Sequence, residues 1–171
     1  MLGLTPLGTF HTAISLIALI AGFVALWRYK EITTRTISGQ TYVGGTVVSC
    51  LTGLGIFQHG GFGVPHVFAI VTLVVLAVAV AAEYRNVFGR VSRYVATVSY
   101  SLSFFVHFIP GTVETLTRLP AGAPYLSSPD DPKAQPILGF FFLLFLVGAA
   151  LQVFRLRSLP HDYEMTSGES L

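Results

Sequence analysis

Four histidines, His11, His59, His66 and His107, stand at the ends of apolar runs in a chain with little charge. Neutral imidazole nitrogen ligates Zn, Cu and haem or non-haem Fe, so histidines placed this way raise metal chemistry first. Two of them bracket "QHGGFGVPH", Gln58 to His66, where Gly60, Gly61 and Gly63 allow a tight reversal and Pro65 suits the first turn of a following helix. Helical spacing aims the others inward. From His11 it runs through Ser15, Ala18, Gly22 and Ala25, a seam of small residues that lets a neighbouring helix approach. Backwards from His59 it runs through Gly55, Thr52, Val48 and Gly45, beside a Gly45, Ser49, Gly53 stripe. Backwards from His107 it runs through Ser103, Tyr100 and Ala96. The face of His66 continues through Ile70, Leu73 and Ala77 and is apolar.

The elements that must position these residues follow from composition. The chain has 171 residues, 53% hydrophobic and 11% charged, with a mean hydropathy of +0.70, far too little charge to cover a soluble globule. We expect an all-α integral membrane bundle forming one transmembrane domain over 1–171. Its five spans lie near 5–27, 42–58, 64–82, 93–108 and 137–154, with an outer loop at 111–136 and a cytoplasmic tail at 155–171. The fourth run carries Thr97, Ser99, Tyr100, Ser101, Ser103 and His107, and so must face protein. The first run lacks a basic n-region and is read as a retained helix.

Eight of the ten Lys and Arg residues, Arg28, Lys30, Arg35, Arg85, Arg90, Arg93, Arg155 and Arg157, share one side of this topology. The positive-inside rule then puts the N-terminus outside and the C-terminus in the cytoplasm, and we expect a multi-pass protein of the cell inner (plasma) membrane. All four histidines named above fall at the outer face. The net charge of +2 is a topology signal, and no basic patch interleaved with aromatics points to nucleic acid. A lone Cys50 excludes an internal disulfide and a cysteine zinc cage. The segment "GTVETLTRL" suggests a short surface helix capped by Thr112, with Val113, Leu116 and Leu119 on the bilayer; the Pro-rich stretch after it should lack regular structure. Glu83 and Tyr84, at the inner interface, suggest an ion pair with Arg85 or Arg90.

The resulting expectation is a metal centre, bare ion or haem, held by His11, His59, His66 and His107. Glu114 joins them if the fourth helix continues past Pro110. Ser15, Gly22, Gly55, Tyr100 and Ser103 would line the cofactor. Such a centre would serve redox and electron transfer, metal handling or assembly of a larger complex. No nucleophile, base and oxyanion constellation and no phosphate-cradling loop supports hydrolase or nucleotide chemistry. The alternative is a non-catalytic interaction subunit or small transporter with structural histidines. Its small-residue stripes and the bulky Phe140 to Leu146 run suit contact with another membrane subunit or a second copy as well as with the lipid bilayer. His161 in the tail is read as solvated.

The stretches "FHTAISLIALIAGFVALWR" and "SGQTYVGGTVVSCLTGLG" resemble an uncharacterised family of bacterial predicted multi-pass membrane proteins. In that family a histidine precedes a Gly-containing first helix, and a basic loop leads to a G-x-x-Y-V start of the second. His11, Gly22, Gly39, Tyr42 and Val43 carry the resemblance, over about the first half of the chain. The family's His-Arg pair before the glycine is replaced here by Thr34 and Arg35, and the resemblance implies a helix bundle without an agreed activity.

Overall fold

A computed structural model describes residues 5–57 and 61–158; Gln58, His59 and His161 lie outside them. Among the described residues five α-helices follow one another in alternating directions: α1 (Pro6–Tyr29), α2 (Ile37–Leu54), α3 (Val64–Arg85), α4 (Ser92–Leu116) and α5 (Ala134–Ser158). A single 3-10 turn at Gly89–Val91 precedes α4. The basic residues named above gather at one end of the bundle, and His11, His66 and His107 lie toward the other.

Local chemistry sets the helix boundaries. Thr5 and Thr36 cap α1 and α2, their hydroxyls accepting from Gly8 N and Gly39 N, each at 3.1 Å. The second helix therefore starts at Ile37 and not near Tyr42, because Thr36 nucleates it through a first turn, Ser38, Gly39 and Gln40, too polar to register as an apolar run. It ends at Leu54, with Gly55 as the C-cap. α4 continues through Pro110 to Leu116. Val113 and Leu116 thus belong to the last turns of α4, and Thr112 caps no separate helix.

α1, α3 and α5 are long and apolar enough to cross a membrane, with mean hydropathies of 2.0, 2.6 and 2.5. Side-chain size is sorted as a bilayer requires. The core is Ala18, Ala21 and Ala25 of α1, Tyr42 of α2, Leu76, Ala79 and Ala82 of α3, and Ala96, Tyr100 and Phe104 of α4. The bulky groups point out: Ile20, Phe23, Trp27, Val74, Phe140, Leu143 and Phe154 are all exposed. Buried hydroxyls, among them Thr46, Ser49, Thr72, Thr97, Ser101 and Ser103, fill the interior. A surface more apolar than its core is stable against lipid and not against water. α5 lies on α4 through Phe105 against Phe142 and Phe145 and through Phe108 against Phe141.

The α4–α5 connection has turns but no regular element, although α5 takes in Ala134, Gln135 and Pro136 from the Pro-rich stretch expected to be irregular. It nevertheless folds back on α4: Leu126 N–H donates to Leu116 O at 3.0 Å and the Leu126 side chain is buried. The Asp131 carboxylate accepts from the backbone N–H of Ser127 and of Lys133, each at 3.0 Å, and from the Ser127 hydroxyl at 2.8 Å. These donors hold its pKa below the usual carboxylate range, at about 2.

Two measurements check this reading. A Cβ at Gly39 would sit 1.8 Å from the Thr33 carbonyl oxygen, whereas one at Gly44 meets nothing. Gly39→Ala should cost about 3 kcal/mol in thermal or denaturant unfolding, and Gly44→Ala essentially nothing. Because the Asp131 pKa is depressed, its contribution is full above the ordinary carboxylate range and is lost as pH falls toward 2. The stability gap between wild type and Asp131→Asn should therefore be open at pH 5 and close toward pH 2.

Candidate functional site

Midway along the bundle, α1 and α2 approach closely enough that a Cβ on Gly45 would lie 3.0 Å from Ala18 Cβ. This contact brings His11 onto α2, where its Nδ1 lies 3.0 Å from Ser49 O and 3.1 Å from Thr52 Oγ1. A carbonyl oxygen only accepts, so Nδ1 carries the proton and Nε2 is left with its lone pair. Ser15 supports the arrangement, with Oγ 2.8 Å from His11 O and 2.6 Å from Ser49 Oγ. From α4, His107 turns its ring toward Tyr42, with centroids 6.3 Å apart, and its Nδ1 is buried without a hydrogen-bond partner.

The other expected site residues have different roles. His66 Nδ1 accepts from Gly63 N–H at 3.1 Å and so carries no proton. The hydrogen of the neutral ring is then on Nε2, and neither nitrogen has a lone pair to give a metal. The ring is stacked between Phe57 and Phe62, with centroids 4.8 and 5.1 Å away. His66 thus locks the turn at the start of α3. Glu114 follows His107 along a continuous α4, as that expectation required, but its carboxylate pairs with Arg118 at 2.6 Å. Among the described residues no three His, Cys, Asp or Glu side chains gather as a metal-holding group. Of the expected ligands, His11 and His107 both turn toward α2, His11 to Ser49 and Thr52 and His107 to Tyr42.

The expected haem slot is filled by protein. A Cβ at Gly22 would meet the Phe104 ring at 2.6 Å and Tyr42 at 3.0 Å, and Ala18 is fully buried. Gly55 caps α2 beside Leu7. Ser103 donates to Tyr100 O at 2.8 Å and receives the Tyr42 hydroxyl at 2.7 Å, which ties α2 to α4. Tyr100 lies seven residues before His107, about 10 Å along the helix, and its hydroxyl faces the opposite end.

There it meets a constellation that sequence reasoning missed. The Glu83 carboxylate accepts from Tyr100 Oη at 2.6 Å, from Thr33 Oγ1 at 2.5 Å, and from Thr34 Oγ1 and N at 2.8 and 3.3 Å. Tyr84 Oη is 2.7 Å from Thr34 Oγ1. The single Thr34 hydroxyl proton serves the carboxylate, so the Tyr84 proton serves this second contact. Glu83 therefore clasps the α1–α2 loop to α3 and α4, and among the described residues it makes no ion pair with Arg85 or Arg90. The ion pair at this end is Glu31 with Arg93, at 4.0 Å, and Thr97 also donates to Glu31 at 3.3 Å. The usable signal was an acid inside an apolar run on α3 together with the hydroxyl stripe of α4.

Hydrogen bonds to a charged acceptor are worth ~1.5–3 kcal/mol each in net terms. Glu83→Gln replaces one accepting oxygen by a donor and should lower the thermal midpoint in detergent by ~5 °C or more. Arg90→Gln, which would matter equally in an ion pair with Glu83, should leave the midpoint unchanged.

No protein-family model, curated protein or solved structure matches this chain.

Proposed function

We propose that this chain is a five-span membrane protein, N-terminus outside and C-terminus cytoplasmic, that holds a transition-metal ion at its outer end through His11 and His107. α2, with 18 residues, and α4, with 25, are about 27 and 37 Å long, lengths compatible with a hydrocarbon core of about 30 Å. Packing against α1, α3 and α5 covers their hydroxyl-bearing faces. The positive-inside count then fixes the orientation.

The observation that carries the metal reading is the Nδ1–H of His11 held by the Ser49 carbonyl. A metal-ligating imidazole ordinarily has its second ring nitrogen fixed in this way, which sets the tautomer and raises the basicity of the ligating nitrogen. His107, whose buried Nδ1 has no hydrogen-bond partner, supplies the second imidazole. His59, expected from the sequence as a further ligand, lies outside the described residues. The filled seam at Gly22 favours a bare ion over haem. Such a centre suits electron transfer, metal handling or assembly of a larger complex. A second reading, an interaction subunit with structural histidines, draws on α5, whose most apolar window is only 6% buried.

Elemental analysis and a visible spectrum of the purified protein test the proposal. His11→Ala and His107→Ala should each lower bound metal at least ~10-fold. The double variant should do little worse, since ligands of one centre fail together. His161→Ala should retain metal. A Soret band would replace the bare ion by haem, and the absence of both metal and Soret absorption would overturn the centre. A reporter fused after Leu171 should register as cytoplasmic.

A further inference from the structure

At the basic end of the bundle, α2 and α3 leave an open groove of about 440 Å³ between them. Its walls are aliphatic: Val43 and Val47 on α2, and Leu73, Ala77 and Val80 on α3. Its mouth is Tyr84 and Arg85. We infer that this groove binds one phospholipid with an anionic headgroup, its acyl chain along α2 and α3 and its phosphate on Arg85.

Three features select that occupant. The first is length. Leu73 to Arg85 spans about 18 Å of helix, close to the ~15 Å of one leaflet in a 30 Å hydrocarbon core. A chain entering at the interface therefore runs out at the bilayer midplane, near the end of the groove. The second is charge. Arg85 is exposed, and among the described residues no carboxylate pairs with it, because Glu83 is consumed by Thr33, Thr34 and Tyr100 while Glu31 serves Arg93 and Thr97. A guanidinium at the end of an apolar trough matches a phosphate above an acyl chain. The third is preorganisation. The Tyr84 hydroxyl is anchored to Thr34, so the mouth is held open by the same clasp that joins the α1–α2 loop to α3. A zwitterionic lipid would present the same tail, but its cationic group lowers the charge match at Arg85.

The inference rests on α2 and α3 sitting in the bilayer and is independent of the metal centre. Alkaline extraction of native membranes tests that premise: release of the protein would overturn the spanning reading and the lipid site with it. For protein that stays in the pellet, native mass spectrometry after exchange into equal amounts of phosphatidylglycerol and phosphatidylcholine reads the site. Wild type should retain phosphatidylglycerol about 5-fold over phosphatidylcholine, the effect expected of one basic residue near the headgroup. Arg85→Gln should bring that ratio to about 1. Ala77→Trp, at an exposed position of the groove wall, should remove bound lipid of both kinds. Equal retention of the two lipids by wild type, or a preference unchanged in both variants, would overturn the site.

Discussion

The approach of α1 to α2 at Ala18 and Gly45 is the constraint on which the rest of the bundle depends. With no side chain on Gly45 and a methyl on Ala18, the two backbones draw close enough for His11 to reach the Ser49 carbonyl and for Ser15 to meet Ser49. The same closeness lets Phe104 of α4 fill the notch over Gly22 and pack edge-on against Phe23 at 5.0 Å. Larger residues along this seam would separate α1 from α2 and detach α4 from both.

A second constraint is hydrogen bonding without water. Many hydroxyls on these helices are satisfied by the carbonyl one turn back, as Thr12 is by Gly8, Thr72 by Phe68 and Thr117 by Val113. Those that cross between elements do structural work: Tyr42 with Ser103, Ser101 with Gln152, and Gln152 in turn with Lys30 O. The last two fix α5 to α4 and to the end of α1, where aromatic packing alone would leave it free to slide. The two ends of the bundle differ in how far this satisfaction goes. At the basic end each Glu83 oxygen has a donor, and Arg155 reaches Tyr29 O at 2.7 Å. At the histidine end, ring nitrogens of His66 and His107 are buried without partners.

Much of the fold was legible because the apolar runs are long. α3 and α5 carry almost no polar interruption, and their existence follows from hydropathy alone. The start of α2 was not legible, since its first turn is polar and its signal is a threonine cap, a local device that a hydropathy window averages away. The continuation of α4 past Pro110 was conditional in the sequence; the helix runs on to Leu116 and forgoes only the one backbone hydrogen bond that the proline cannot donate. The inward faces of His11 and His107 followed from helical spacing. The role of His66 did not, because its partner is the Gly63 amide in the turn and its neighbours are phenylalanines on the same hairpin. The Glu83 clasp was illegible for a different reason: its donors Thr33 and Thr34 lie 50 and 49 residues away. Nothing in the local sequence distinguishes a carboxylate that meets hydroxyls from one that meets arginine.

The polar groups of the two ends are connected through the helices that carry them. α4 bears His107 toward one end and Tyr100 toward the other, and between them Ser103 holds Tyr42 of α2. α2 in turn supplies the Ser49 carbonyl that sets the His11 tautomer. A displacement of α2 along its axis by one turn, about 5.4 Å, would break the Tyr42–Ser103 and His11–Ser49 bonds together, while the Thr36 cap would pull on the loop that Glu83 clasps. The position of His11 against α2 therefore depends on contacts along the whole of that helix, and the Glu83 clasp, which touches neither imidazole, bears on it only through the loop that leads into α2.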